Sequence, residues 1–251
     1  MRRYDTGRRP SPRAVAVVAV VLAVLIGTAV WLLGSGDPTD SPDGSRSGQP
    51  TAATPDISRE APTTAPPDGV VLPEGTDQVD GHPTGFPASD LGPVAVQVAI
   101  ARAQVGFDYD QAAHVASIYA APDTRKVLEE RSRAAVTQRR EQAGVPDTGE
   151  VPAPVSYAVT PIAFTVAELD SGTWAVSLLS YVSLTDVEGT IGDFLYSGTQ
   201  LFSWIDEDWK VVQGTKADID ELTAAGQPAA AAPGTPEYED AGWIGIRGEY
   251  Q

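Results

Sequence analysis

Residues 14–33 are twenty amino acids without one charged side chain, and Arg2, Arg3, Arg8, Arg9 and Arg13 precede them. As a helix rising ~1.5 Å per residue, such a run is about 30 Å long, the thickness of a bilayer's hydrocarbon core. Inside lipid every backbone amide must be satisfied within the segment, so the run reads as one transmembrane helix. The arginines hold the N-terminus in the cytoplasm and place the rest of the chain across the membrane. A cleaved signal peptide has a shorter apolar region, roughly 7–15 residues, and a small-x-small site. Here the run continues through Trp31, Leu32 and Leu33, and no Ala-x-Ala follows. The arginine pairs lack the apolar continuation of a twin-arginine signal, and without cysteine no lipoprotein anchor is available. The expectation is an uncleaved signal-anchor in the cell membrane: a basic cytoplasmic stub (1–13), one span (14–33) and an extracytoplasmic C-terminal part.

The formal net charge is −17, although the stub itself is basic, so the acidic excess lies wholly beyond it. An acidic ectodomain repels phosphate backbones, and direct nucleic-acid binding by it is not expected. The absence of cysteine removes disulfides, thiolate chemistry and thiolate zinc sites, so stability must come from an ordinary core.

Residues 34–78 are dominated by Gly, Ser, Thr and Pro over most of their length. They cannot bury enough apolar surface to offset chain entropy and are expected to form a disordered linker. Order is expected over 79–225. Apolar residues at helical spacing (Leu91, Val94, Ala95, Val98, Val105) predict a first helix with Ser89 or Asp90 as its cap. A second helix is expected from Tyr109 or Asp110 to about Ala120. A third, heavily charged surface helix runs to about Gln142 and stops at Gly144.

Beyond Pro154 the period changes to two, and residues 156–169, 173–185, 194–205 and 209–213 read as strands. Asp170-Ser171-Gly172 and Asp206-Glu207-Asp208 read as hairpin turns. The fold class is therefore α+β: an N-terminal transmembrane helix, then three helices packed on a curved four-stranded antiparallel sheet, closed by a short helical turn near 217–225. Residues 226–251 open with an Ala/Pro/Gly run and are expected to be a flexible tail, although Trp243, Ile244 and Ile246 are unusually apolar for one.

Few residues suggest chemistry. Trp204 and Trp209 flank the acidic turn and are placed to pair across a hairpin. The acidic turn alone supplies too few oxygens for a calcium loop. His82 and His114 have no second metal ligand at close spacing. No nucleophile elbow, phosphate-binding loop or zinc-protease motif occurs. Asp108, Tyr109, Asp110, Tyr157, Tyr181 and Tyr196 are the residues from which an acid–base pocket would have to be built, and Asp108 and Asp110 sit where helix caps are expected. No catalytic, cofactor or metal site is assigned.

Four segments together carry a resemblance: Asp80-Gly81-His82-Pro83-Thr84-Gly85-Phe86-Pro87, Ala103-Gln104-Val105-Gly106-Phe107-Asp108-Tyr109-Asp110, Tyr119-Ala120-Ala121-Pro122, and Leu201-Phe202-Ser203-Trp204-Ile205-Asp206-Glu207-Asp208-Trp209-Lys210. The set resembles a family of actinobacterial membrane-anchored proteins associated with integrative conjugative elements. The element order is also similar to the bitopic scaffold proteins of type IV secretion and conjugation, whose extracytoplasmic domain has the nuclear-transport-factor-like cone shape. That resemblance implies a scaffold that meets envelope or conjugation-channel subunits, without catalysis or cofactor. The alternative is an extracytoplasmic module binding a small ligand or cell-wall fragment in a cone-shaped pocket.

Overall fold

The structure, a computed structural model, describes residues 69–247. The stub, the candidate span and the linker up to residue 68 lie outside the described residues. In chain order the elements are β1 (Asp77–Val79), β2 (His82–Thr84), α1 (Gly92–Ala103), α2 (Tyr109–Tyr119), α3 (Arg125–Gln142), β3 (Ser156–Glu168), β4 (Trp174–Thr185), β5 (Ile191–Ile205), β6 (Asp208–Val212), α4 (Lys216–Ala225), α5 (Pro236–Asp240) and β7 (Ile244–Gly245). The fold is mixed α/β, with a five-stranded antiparallel sheet in the order β6-β5-β4-β3-β7. No helix among the described residues is long and apolar enough to cross a membrane.

Local chemistry explains most boundaries. Asp206 and Glu207 both take positive φ, 51° and 62°, and form the two-residue turn between β5 and β6 that opposes Trp204 to Trp209. A left-handed conformation costs a residue with a Cβ about 1–2 kcal/mol, and glycine escapes that cost. Glu207→Gly is therefore expected to stabilise the domain by about 1 kcal/mol, read as a rise of ~2–4 °C in thermal unfolding. The same turn geometry recurs at Asp80-Gly81 (φ 51° and 82°), so residues expected only as a turn-rich lead-in form the β1–β2 hairpin.

The first helix is not capped by Ser89 or Asp90. Its N-cap is Leu91, without a side-chain acceptor. Gly92 N–H bonds to Ser89 O at 2.8 Å and Pro93 has no N–H, which leaves fewer orphan donors for a cap to serve. In α2 the expectation holds: Asp108 Oδ1 accepts from the N–H groups of Asp110 and Gln111, both at 2.8 Å.

Even-numbered β4 residues such as Val176 and Leu178 face α1 and α2. They share one core with Phe164, Phe202, Trp209, Val94, Val98 and Val115. Odd-numbered residues face the other way, and here the expected four-stranded sheet and flexible tail are both corrected. Ala175 and Leu201 pack against Ile219 and Leu222 of α4, while Ala163 and Leu179 pack against Trp243. The chain after residue 225 thus covers the second face of the sheet as far as Arg247. Trp243 is buried, its indole N–H donates to Ala229 O at 2.8 Å, and Ile244–Gly245 adds the fifth strand beside β3. Linker residues also join the fold, since Val70 bridges in parallel to Ile246. The physical cause is the apolar outer face: Leu179, Ala163 and Ile162 would otherwise meet water.

Asp218 fastens this cover. Its buried carboxylate accepts from Ser171 Oγ and Thr215 N, both at 2.6 Å, and from Thr215 Oγ1 at 2.9 Å, joining α4 to the β3–β4 turn. Burial pushes its pKa up, but the Ser171 and Thr215 hydrogen bonds outweigh that and hold it below the ordinary carboxylate value. A depressed folded-state pKa contributes stability above the unfolded value of about 4, and the contribution disappears as pH falls through the folded value. Asp218→Asn is expected to destabilise clearly at pH 7 and much less near pH 3 in chemical denaturation. A penalty independent of pH would show that the carboxylate charge is not what holds the turn.

Candidate functional site

The acid–base residues singled out from sequence are dispersed. His114 Nε2 lies 2.9 Å from Asp80 Oδ2, tying α2 to the β1–β2 turn at an exposed position, while His82 sits in β2 opposite Val79. Asp108 is occupied by capping, and Asp110 pairs with Arg133 Nη1 at 2.7 Å on the surface. Among the described residues no group of three or more His, Asp or Glu is placed to hold a metal ion. Trp204 and Trp209 pair across the hairpin as expected, with ring centroids 5.3 Å apart and edge-to-face.

The tyrosines divide between the two faces. Tyr181 belongs to the outer cluster with Leu179 and Trp243. Tyr157 and Tyr196 face the helices, where the Arg139 guanidinium lies 4.7 Å over the Tyr157 ring. Burial, with a smaller effect of Tyr157, pushes the Tyr196 phenol up to about 12. Burial also raises Tyr157 against the opposing Arg139 charge. Such phenols are hydrogen-bond donors at neutral pH and not bases. Beside them Gln97 Nε2 donates to Gly198 O at 3.3 Å, which fixes the orientation of that amide; Gln97 Oε1 and Gln200 Oε1 are buried without a partner among the described residues. The face offers acceptors and a cation, but none of these groups bonds to a carboxylate among the described residues.

The most distinctive surface is an edge. β6 pairs only with residues 201–205 of β5, so among the described residues the preceding ten have a strand neighbour on the β4 side alone. A two-residue turn makes Ile205 and Asp208 a hydrogen-bonded pair, and alternate residues follow: 203 and 201 point their backbone groups toward β6. The β4–β5 register has no shift, so 199, 197, 195, 193 and 191 point the same way, past the end of β6. At Ser197 the edge is closed: Gln227 Nε2 donates to Ser197 O at 2.6 Å and Ser197 Oγ to Pro228 O at 3.0 Å. On the far side of Ser197 from β6, Ile191, Asp193 and Leu195 remain, three N–H donors and three C=O acceptors without a strand to meet them among the described residues. Ile191 is 64% exposed and Phe194 38%. The tip of this hairpin is held by α3, with Val187 N–H donating to Ala143 O at 3.0 Å.

This edge was not singled out from the sequence, although a signal existed. A candidate strand over 194–205 faced one over 209–213, and the difference in length leaves the longer strand partly unpaired.

No family profile matches the chain, and no curated protein matches it. Among solved structures, the crystal structure of the intermembrane space region of chloroplast protein ARC6 is similar over 48% of this chain and 87% of that one, with 15% identity and a TM-score of 0.30. A superposition so loose carries no argument about fold or function, and none of these comparisons links the chain to conjugation.

Proposed function

We propose that the chain is a single-pass, membrane-anchored interaction protein whose extracytoplasmic domain acts as a scaffold for another envelope protein. Residues 14–33 supply the anchor in this reading, and the helices on one sheet face correspond to the cone of the secretion scaffolds that its element order resembles. The resemblance of its motifs to proteins of integrative conjugative elements supports a place in a DNA-transfer apparatus, with channel subunits and not DNA as its partners. The observation that carries the reading is the open β5 edge, flanked by exposed Ile191 and Phe194. Chains that remain alone blunt such edges with charged side chains, proline or a covering loop; residues 191–196 contain no proline and one charge, Asp193. The test is photo-crosslinking of the full-length chain in intact cells, with benzoylphenylalanine placed in turn at surface positions such as 111 and 194. Covalent adducts with an envelope protein are expected. Failure to recover an envelope protein from any surface position overturns the scaffold reading.

A second reading, a small-ligand module, is favoured by the unpartnered Oε1 atoms of Gln97 and Gln200. It requires a bound donor at those atoms. Native mass spectrometry of the purified chain then finds a retained small molecule that Gln97→Leu abolishes; a ligand-free spectrum sinks this reading.

A further inference from the structure

The open edge restricts what can bind it. An added strand running antiparallel to β5 forms hydrogen-bonded pairs at Ile191, Asp193 and Leu195, whose side chains share the outer face of the sheet. Gly192, Phe194 and Tyr196 share the helix face, with Gly192 leaving room for a bulky neighbour. The added strand must therefore place side chains opposite Ile191 and Leu195 on one face, opposite Phe194 on the other, and opposite the Asp193 carboxylate at its centre. Asp186 and Glu188 in the adjoining β4–β5 turn add to the negative potential there.

A second copy of the chain does not meet these demands. The two-fold register that pairs all three edge residues sets Asp193 directly opposite Asp193, and like charges so placed are destabilising. The chain's own segment 34–68 is equally unsuitable, because it is net acidic and its seven prolines lack ladder donors. Both the self-repulsion and the attraction point to an occupant of opposite charge.

We propose that the β5 edge binds an extended segment of a different protein, with a lysine or arginine opposite Asp193 and apolar residues two positions to either side. Read along the partner, the pattern is apolar–apolar–basic–any–apolar, the second apolar residue lying against Phe194. The segment joins the sheet as a sixth strand at residues 191–195 and ends where Gln227 closes the edge at Ser197. Backbone hydrogen bonds hold it, the side-chain positions select it, and Asp193 both excludes a second copy and picks the basic partner. This proposal rests on the interaction-protein reading and identifies its surface and partner chemistry.

The probe is the peptide acetyl-Thr-Val-Val-Lys-Thr-Val-Thr-amide, with a control carrying Glu in place of Lys, added to the full-length chain in detergent micelles. Hydrogen exchange is expected to slow at residues 191–195 with the lysine peptide, which should bind about fivefold or more tightly than the control. Asp193→Lys is expected to reverse that preference and leave exchange across β3, β4 and β6 unchanged. Equal affinity for the two peptides, protection at another surface, or no protection at millimolar peptide overturns the proposal. So does concentration-dependent protection of the edge without peptide, which would assign it to a second copy. In cells, envelope adducts from position 111 but none from position 194 would overturn the edge assignment while the scaffold reading survived.

Discussion

Arg140→Ala is expected to destabilise the domain by about 3–5 kcal/mol, lowering its thermal transition by ~10 °C. Arg140 sits near the end of a helix whose sequence reads as a charged surface element, yet it is 3% exposed. Its guanidinium donates to three carbonyls from two separate stretches of chain: Nη1 to Phe107 O at 2.7 Å in one, Nε to Pro146 O at 2.7 Å and Nη2 to Gly149 O at 2.6 Å in the other. It thereby joins the α1–α2 loop, the end of α3 and the loop leading to β3. Removing it leaves three acceptors without their donor, each costing about 1–3 kcal/mol if water cannot reach it. Arg140→Lys is expected to recover less than half the loss, because one ammonium cannot reproduce a planar fork with donors in three directions. The end of α3 also holds the β4–β5 hairpin through Ala143 and Val187, so hydrogen exchange at residues 186–190 should quicken in the same variant. A loss below about 1 kcal/mol would mean that water satisfies the three carbonyls.

Arg140 also shows where sequence reading stops. The strands, their turns and the Trp204–Trp209 pair were legible because each depends on residues close in the chain: period-two alternation, turn formers, and a tryptophan on each side of two acidic residues. Asp108 was legible as a cap for the same reason. What was missed depends on distant partners. The fifth strand needs Phe164 and Ala163, about eighty residues before it, and the tail opens with a low-complexity run that suggests disorder when taken alone. A clue lay in β4, where Ala175, Leu179 and Tyr181 alternate with Val176, Leu178 and Val182. A strand apolar on both faces is a strand covered on both faces, and only the tail remained to provide the second cover. The β5 edge was hidden for the opposite reason: it is defined by what does not pair with it. Arg140, among the arginines of α3, could not be told from the others until its carbonyl partners were placed.

Gly92→Ala is expected to cost about 3–4 kcal/mol, a large effect for a single methyl group. A Cβ at position 92 would overlap the Pro87 carbonyl oxygen and the Trp209 indole nitrogen, with the indole Cδ1 2.8 Å away. Those two groups are the ends of one hydrogen bond, Trp209 Nε1 to Pro87 O at 2.9 Å, so the methyl must break the bond to find space. The indole has little freedom to swing aside. It is buried and lies edge-to-face between Trp174 and Trp204, at centroid separations of 6.0 and 5.3 Å. The backbone oxygen on the other side belongs to the turn entering α1 and cannot rotate away as a side chain would. Relief must therefore come from shifting β6 or the start of α1, and both belong to the main core. A double-mutant cycle separates this clash from any general intolerance of alanine at a helix start, where alanine is otherwise a better helix former than glycine. In a Trp209→Phe background the smaller ring vacates the contested volume, and Gly92→Ala should then cost at least ~1 kcal/mol less than in the native chain. Additive losses would place the cost in the turn at Pro87 and not in the indole. Because β6 ends at Val212, opposite Leu201, and leaves residues 191–200 of β5 uncovered by it, any shift that relieves the clash also alters where the open edge begins.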